Sequence, residues 1–366
     1  MKHRNIILAL SLLSSSASAI VRRHDVPDQK FLDYAQQFAA YGDVAEAGST
    51  LIAPQWLLTA GHVAESISPY TSFAMVGGNV YDIDRIIMHP ENSSPGANRV
   101  DLALLRLTKP VPNVDPIALY RSAREAGQVV SFFGRGMAGT GKTGPSVTDG
   151  FMRGATNRIE SVTQQTISMK FDPAEAALPL EGISGPGDSG GPGVVRIGGK
   201  WYLVGVSSAN VSPNGQLCRY NSMEVYARVS TATAWIDQTL KQPPGSTVSW
   251  KIGDPVGTWP ADRNGEIGPK LVACIASGDR EAYEAFNLRH RSPKALARAT
   301  KGQRTTTLLS LHREFGTLQL VETATGADGT FFALLRTAKG THHQLTLFFD
   351  ADGFDGFNIV NARPRA

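Results

Sequence analysis

The chain has 366 residues, of which 42% are hydrophobic and 19% charged, with a formal net charge of +4. That is enough material for cores in two or three domains. The charge, about +2 once Lys2 and Arg4 are removed as described next, is too small to argue for a nucleic-acid partner, and no basic stripe interleaved with aromatics is present.

Lys2, His3 and Arg4 open the chain, an apolar run follows over 6–13, and Ala17-Ser18-Ala19 is a small-x-small peptidase site. Residues 1–19 are expected to be a cleaved signal and the protein to be exported, either secreted or periplasmic. The apolar run is far shorter than the about 20 residues that span a hydrocarbon core, so no membrane anchor is expected after cleavage. From 47 to about 229, short apolar or alternating runs, such as 56–59, 102–107, 129–133 and 202–206, are broken by Gly, Pro, Asn and Ser. Many short strands with frequent turns indicate a mainly β domain. A closing helix is expected over 231–241. A linker rich in Pro and Gly is expected over 242–263.

The remainder, 264–366, reads as a small α+β domain, with helical patterns at 270–289 and 293–315 and strand-like runs at 317–323, 330–337 and 344–349. No solenoid or propeller repeat is present. The two cysteines, Cys218 and Cys274, either bridge or stay as separate thiols, and the sequence leaves both open.

Acyl transfer by serine needs a hydroxyl, an imidazole to take its proton, a carboxylate to hold that imidazole, and backbone donors for the oxyanion. His62 ends an apolar run in a small-residue turn, Thr59-Ala60-Gly61-His62. Asp101 stands at the mouth of an apolar run, Val100-Asp101-Leu102-Ala103-Leu104-Leu105, where burial requires a partner. Ser189 lies in Gly187-Asp188-Ser189-Gly190-Gly191-Pro192, glycine-rich enough for close approach to a substrate carbonyl.

TAGH, VDLALLRL and GDSGGP, in this order, resemble the three signature blocks of the trypsin-like serine proteases, over about residues 20–241. The resemblance implies two six-stranded antiparallel β-barrels and a secreted, bacterial-type serine endopeptidase acting on peptide or protein substrates. It also implies roles: Ser189 as nucleophile, His62 as general base and then acid, Asp101 as orienting carboxylate, Gly187 and Ser189 N–H groups as oxyanion hole, and Ser207 as support for Asp101. A new N-terminus at Ile20-Val21 is expected to pair with Asp188. The specificity pocket maps to Ile183, Ala209 and Glu224. Ile183 stands where a lysine- or arginine-selective enzyme has aspartate, while Glu224 either binds a basic side chain or blocks the pocket.

A phosphate-loop look-alike at 136–143 overlaps a dinucleotide-loop look-alike at 134–139, but each needs a helix directly after it, and Gly144-Pro145-Ser146 opposes one after the first. Asp350-Ala351-Asp352-Gly353 lacks the twelfth-position glutamate of a calcium loop, since Asn361 stands there. His342-His343 points to opposite faces of a strand. No cofactor and no metal are therefore expected. The C-terminal region resembles the cystatin-like or NTF2-like domains that accompany some bacterial serine hydrolases. It invites the rival expectation of a catalytically weak or inactive protease-shaped binding protein that engages a protein partner through this domain.

Overall fold

Leu57 and Leu58 are adjacent and both fully buried; side chains alternate faces along a strand, so the strand that carries them is covered on both sides. It belongs to a closed six-stranded barrel in a computed structural model that describes residues 20–147, 149–212, 215–242, 257–325 and 330–364. The expected signal and most of the expected linker lie outside the described residues, which fall into two compact units on either side of 243–256.

The barrel strands are β1 (Tyr41–Val44), β2 (Ala47–Ala53), β3 (Trp56–Thr59), β4 (Phe73–Val76), β5 (Asn79–Met88) and β6 (Ala103–Leu107), in the closed order β1-β2-β3-β6-β5-β4. Leu51, Leu104, Leu105 and Leu107 are also fully buried. The second half uses β7 (Val129–Gly134), β8 (Arg153–Arg158), β9 (Thr166–Lys170), β10 (Pro192–Ile197), β11 (Lys200–Val211) and β12 (Met223–Arg228), in the order β8-β7-β10-β11-β12-β9.

The expectation of two closed barrels is corrected here, because no ladder joins β8 to β9. The free edge of β8 is already occupied: Thr156 N donates to Leu180 O at 2.8 Å, and Thr156 bridges Glu181. Asn157 Nδ2 spans the gap instead, donating to Lys170 O at 3.0 Å and Gly182 O at 3.1 Å. Just past β8, Glu160 N donates to Ser168 O at 2.9 Å.

A small sheet brings together Gly144–Val147, Ala138–Thr140, Val21–Arg22 and Gly182–Ile183, in that order. The phosphate-loop look-alike is thus a hairpin, with a strand where a nucleotide loop has its helix. Helices α1 (Asp28–Ala35), α2 (Gly61–Glu65) and α3 (Thr233–Leu240) complete the unit.

The C-terminal unit holds four helices, α4 (Arg263–Ser277), α5 (Arg280–His290), α6 (Pro293–Ala297) and α7 (Lys301–Phe315), where two patterns were expected. The breaks are local. Gly278 takes a left-handed φ of 64° and ends α4, and Asp279 accepts from Glu281 N and Ala282 N to start α5. Thr300 and Gln303 form a capping box that separates α6 from α7.

The sheet has four antiparallel strands in sequence order, β13 (Leu318–Thr325), β14 (Phe331–Thr337), β15 (His342–Asp350) and β16 (Gly353–Ala362), against three expected. Two glycines within β16 mask its pattern. Leu271, Ile275, Leu308, Leu335, Leu345 and Phe354 are among the residues forming its core. The Asp350 turn links β15 to β16, with Asp352 N donating to Asp350 Oδ1 at 2.9 Å. Cys218 and Cys274 are both buried as free thiols, each within its own unit.

Candidate active site

His62 is the second residue of α2, which only Ala60 separates from β3, and only Leu102 separates Asp101 from β6, which pairs with β3. The two meet twice. His62 N donates to Asp101 Oδ1 at 2.9 Å, and the ring Nδ1 lies 2.8 Å from Asp101 Oδ2. An ionised carboxylate only accepts, so Nδ1 carries the proton and Nε2 keeps a lone pair for another donor. Asp101 is 7% exposed. Burial by itself would raise its pKa, but the imidazole bond and charge, the Ser208 hydroxyl and the His62 N–H bring it down to about 2.

Glycine brings the Ser189 loop to the strand end ahead of His62, with no hydrogen bond between the Ser189 hydroxyl and His62 Nε2 among the described residues. Gly190 has φ +77°, and a Cβ there would stand 2.2 Å from Thr59 Oγ1, 2.3 Å from Gly48 O and 3.2 Å from Ala60 N. Only a residue without a side chain lets this loop lie against the strand end that leads to His62. Ser189 O accepts from Gly48 N at 2.7 Å, and Gly190 N donates to Ser207 O at 2.8 Å. Gly187 has φ +91°. Among the described residues, neither Gly187 N nor Ser189 N has an intramolecular acceptor.

Asp188 points away from this loop into the protein and is 1% exposed. Its carboxylate accepts from Gly136 N at 2.7 Å, Gly185 N at 2.8 Å and the nitrogen of Ile20 at 3.1 Å. Burial still pushes its pKa up to about 6.

The expected support for Asp101 is corrected by one residue. Ser208, not Ser207, donates to Asp101 Oδ2, at 2.5 Å. The cause is a β-bulge: Ser207 pairs with Tyr226 and Ala209 with Val225, so Ser208 is the extra residue and its side chain is re-aimed. Simple alternation along β11 misses this. Arg99 is a further neighbour absent from the sequence reading, its Nη2 3.4 Å from Asp101 Oδ1.

The same shift displaces the expected pocket wall, because Ala209 is exposed while Asn210 Nδ2 donates to Ser184 O at 3.2 Å. Glu224 is fully buried, with Oε1 accepting from Ser184 N at 3.1 Å. Ile183 packs with Val21, Phe171 and Cys218.

With this geometry described, the comparison with known proteins is direct: residues 20–236 match the trypsin family profile. The chain belongs to the trypsin family. Its trypsin-like domain is similar to Serine protease 28 of Mus musculus, 28% identical over 53% of this chain and 77% of that protein. It is also similar to Serine protease SP24D of Anopheles gambiae, 29% identical over 55% of this chain and 74% of the relative. A third likeness is to Vitamin K-dependent protein C of Rattus norvegicus, 29% identical over 54% of this chain and 48% of that protein. All three are animal proteins. At the level of the family this is a serine protease, a hydrolase whose substrates are peptides or proteins.

Elsewhere, His343 is buried against Phe315, with Nε2 3.0 Å from Thr341 Oγ1, whereas its neighbour His342 is partly exposed. Among the described residues no helix is long and apolar enough to cross a membrane.

Proposed function

We propose that the chain is an exported serine endopeptidase that cleaves peptide bonds through an acyl-enzyme, with Ser189 as nucleophile, His62 as base and then acid, and Asp101 as the carboxylate that holds the imidazole. The observation that carries this reading is the pair of hydrogen bonds from the backbone and ring of His62 to Asp101, which leaves Nε2 as the ring's proton acceptor. Proton transfer to Nε2 accompanies attack of Ser189 Oγ on the substrate carbonyl, and the proton then passes to the leaving amine. The unpartnered N–H groups of Gly187 and Ser189 supply donors for the oxyanion, each worth roughly a hundredfold or more in rate. A fluorophosphonate probe tests the reading: covalent labelling at Ser189 supports it, and an unlabelled, correctly folded protein overturns it in favour of an inactive binding protein.

Asp101 also has a support whose loss is measurable. Ser208→Ala removes a hydrogen bond to a charged acceptor and is expected to lower kcat/KM about tenfold or more, whereas Ser207→Ala leaves it unchanged. Steady-state kinetics on the two single variants read this directly. The reverse order of effects contradicts the assignment of Ser208.

A further inference from the structure

Ser207 and Ser208 sit beside the nucleophile, and β11 runs outward from them through Ala209 and Asn210. On the other side, Gly185 is one tight turn upstream of Ser189, with Asp188 N donating to Gly185 O at 3.0 Å. The space between Ser184 and Asn210 therefore lies next to the Ser189 loop, and two side chains fill it. Asn210 crosses from β11 to Ser184 O, and its register partner on β12, Glu224, reaches Ser184 N. Tyr226 OH holds Ser184 Oγ at 2.9 Å, and Cys218 Sγ donates to the same Ser184 O at 3.2 Å, so the Ser184 side is fixed.

Asn210 is partly exposed whereas Glu224 has no exposed surface, which makes Asn210 the outer bar and Glu224 the inner plug. We propose that Asn210 closes this specificity cleft over Glu224, so that the enzyme takes substrates with a small, uncharged side chain on the acyl side of the cleaved bond. The inference rests on the protease reading and names its substrate class. A long basic or aromatic side chain has to displace the Asn210 bridge before it reaches any depth.

While Asn210 covers it, Glu224 is also poorly suited as a counter-ion. Burial pushes its carboxyl up to about 7, against the bonds from Ser184 and Tyr226. Glu224 Oε2 and Asn210 Oδ1 are both buried oxygens without a hydrogen-bond partner, on residues paired across the two strands. A proton on Oε2 supplies a donor where two acceptors otherwise stand unsatisfied. Ile183 and its apolar neighbours place no charge beneath the cleft.

The test uses peptidyl p-nitroanilides that differ only in the residue before the scissile bond: alanine, valine, phenylalanine or lysine. The wild-type enzyme is expected to cleave the alanine and valine substrates best. Asn210→Gly should raise the lysine-to-alanine ratio of kcat/KM at least about tenfold, the range one pocket contact commands. Adding Glu224→Gln should abolish the lysine gain while keeping a gain for phenylalanine. Asn210→Ala, which keeps an ordinary strand backbone, should move the ratios in the same direction if the glycine variant folds poorly. Wild-type preference for lysine or phenylalanine overturns the proposal, as does an unchanged profile in both Asn210 variants. Fluorophosphonate labelling separates the two levels: labelled enzyme with the wrong preference refutes only the cleft assignment, and absent labelling removes the protease reading and this inference together.

Discussion

Replacing Ser189 by alanine is expected to lower peptide hydrolysis by about four or more orders of magnitude while leaving the melting temperature where it was. The two halves of this expectation have separate origins. Ser189 holds its loop through its backbone oxygen, which accepts from Gly48 N, and the alanine variant keeps that bond. The side chain is half-buried and its hydroxyl makes no bond among the described residues, so its removal leaves no partner unsatisfied. Substitutions of that kind change stability by about 0.5 kcal/mol or less. The chemistry has no such tolerance, because the proposed acyl-enzyme forms on that hydroxyl. Residual turnover should reflect the oxyanion donors and substrate binding alone. Hydrolysis rates and thermal melts on purified variant and wild type check both halves, and a Ser189→Ala protein that retains activity, free of contaminating protease, refutes the nucleophile assignment.

Features carried by contiguous residues were legible in the sequence, and features set by long-range pairing were not. TAGH, VDLALLRL and GDSGGP each hold a functional side chain next to the turn or strand that positions it, so His62, Asp101 and Ser189 could be named together. Ser208 could not be separated from Ser207, because the choice depends on a bulge where β11 meets β12, residues far apart in the chain until they pair. Asn210 was missed for the same reason: once the register was one residue off, Ala209 was assigned to its place. The open seam between β8 and β9 depends on Leu180 and Glu181 capturing the edge of β8. In the C-terminal unit, Gly278 and Asp279 were strong local signals for a helix break, but the apolar pattern runs across them. The polar and glycine-rich β16 becomes a strand through its pairing with β15.

The other large effect is expected at Ile20. Its nitrogen donates to the buried Asp188, and its φ of 66° puts a β-branched residue in the left-handed region, a strain on the order of 1–3 kcal/mol. Cleavage between Ala19 and Ile20 abolishes that torsion and converts an amide into an ammonium. Asp188 supplies a second reason for the cut. While its Ile20 partner is a neutral amide, its folded pKa of about 6 exceeds the unfolded value of about 3.9. The native state then holds a proton that the unfolded state has released, so the uncut protein loses stability as pH rises from about 4 through 6, on the order of 3 kcal/mol in all. A free ammonium at Ile20 compensates the carboxylate and reverses that loss. The amine in turn is held above its reference of about 8. Its contribution is complete below that reference and disappears as pH rises through the raised value, so activity should decline on the alkaline side. An extra alanine ahead of Ile20, or Asp188→Asn, breaks the pair and should lower kcat/KM about a hundredfold or more, the scale for stranding one partner of a buried ion pair. N-terminal sequencing, pH–rate profiles and urea unfolding at pH 4 and 7 of cut and uncut protein provide the measurements. Full activity in a protein whose extension is still intact, or in one whose N-terminus is not Ile20, contradicts the mechanism.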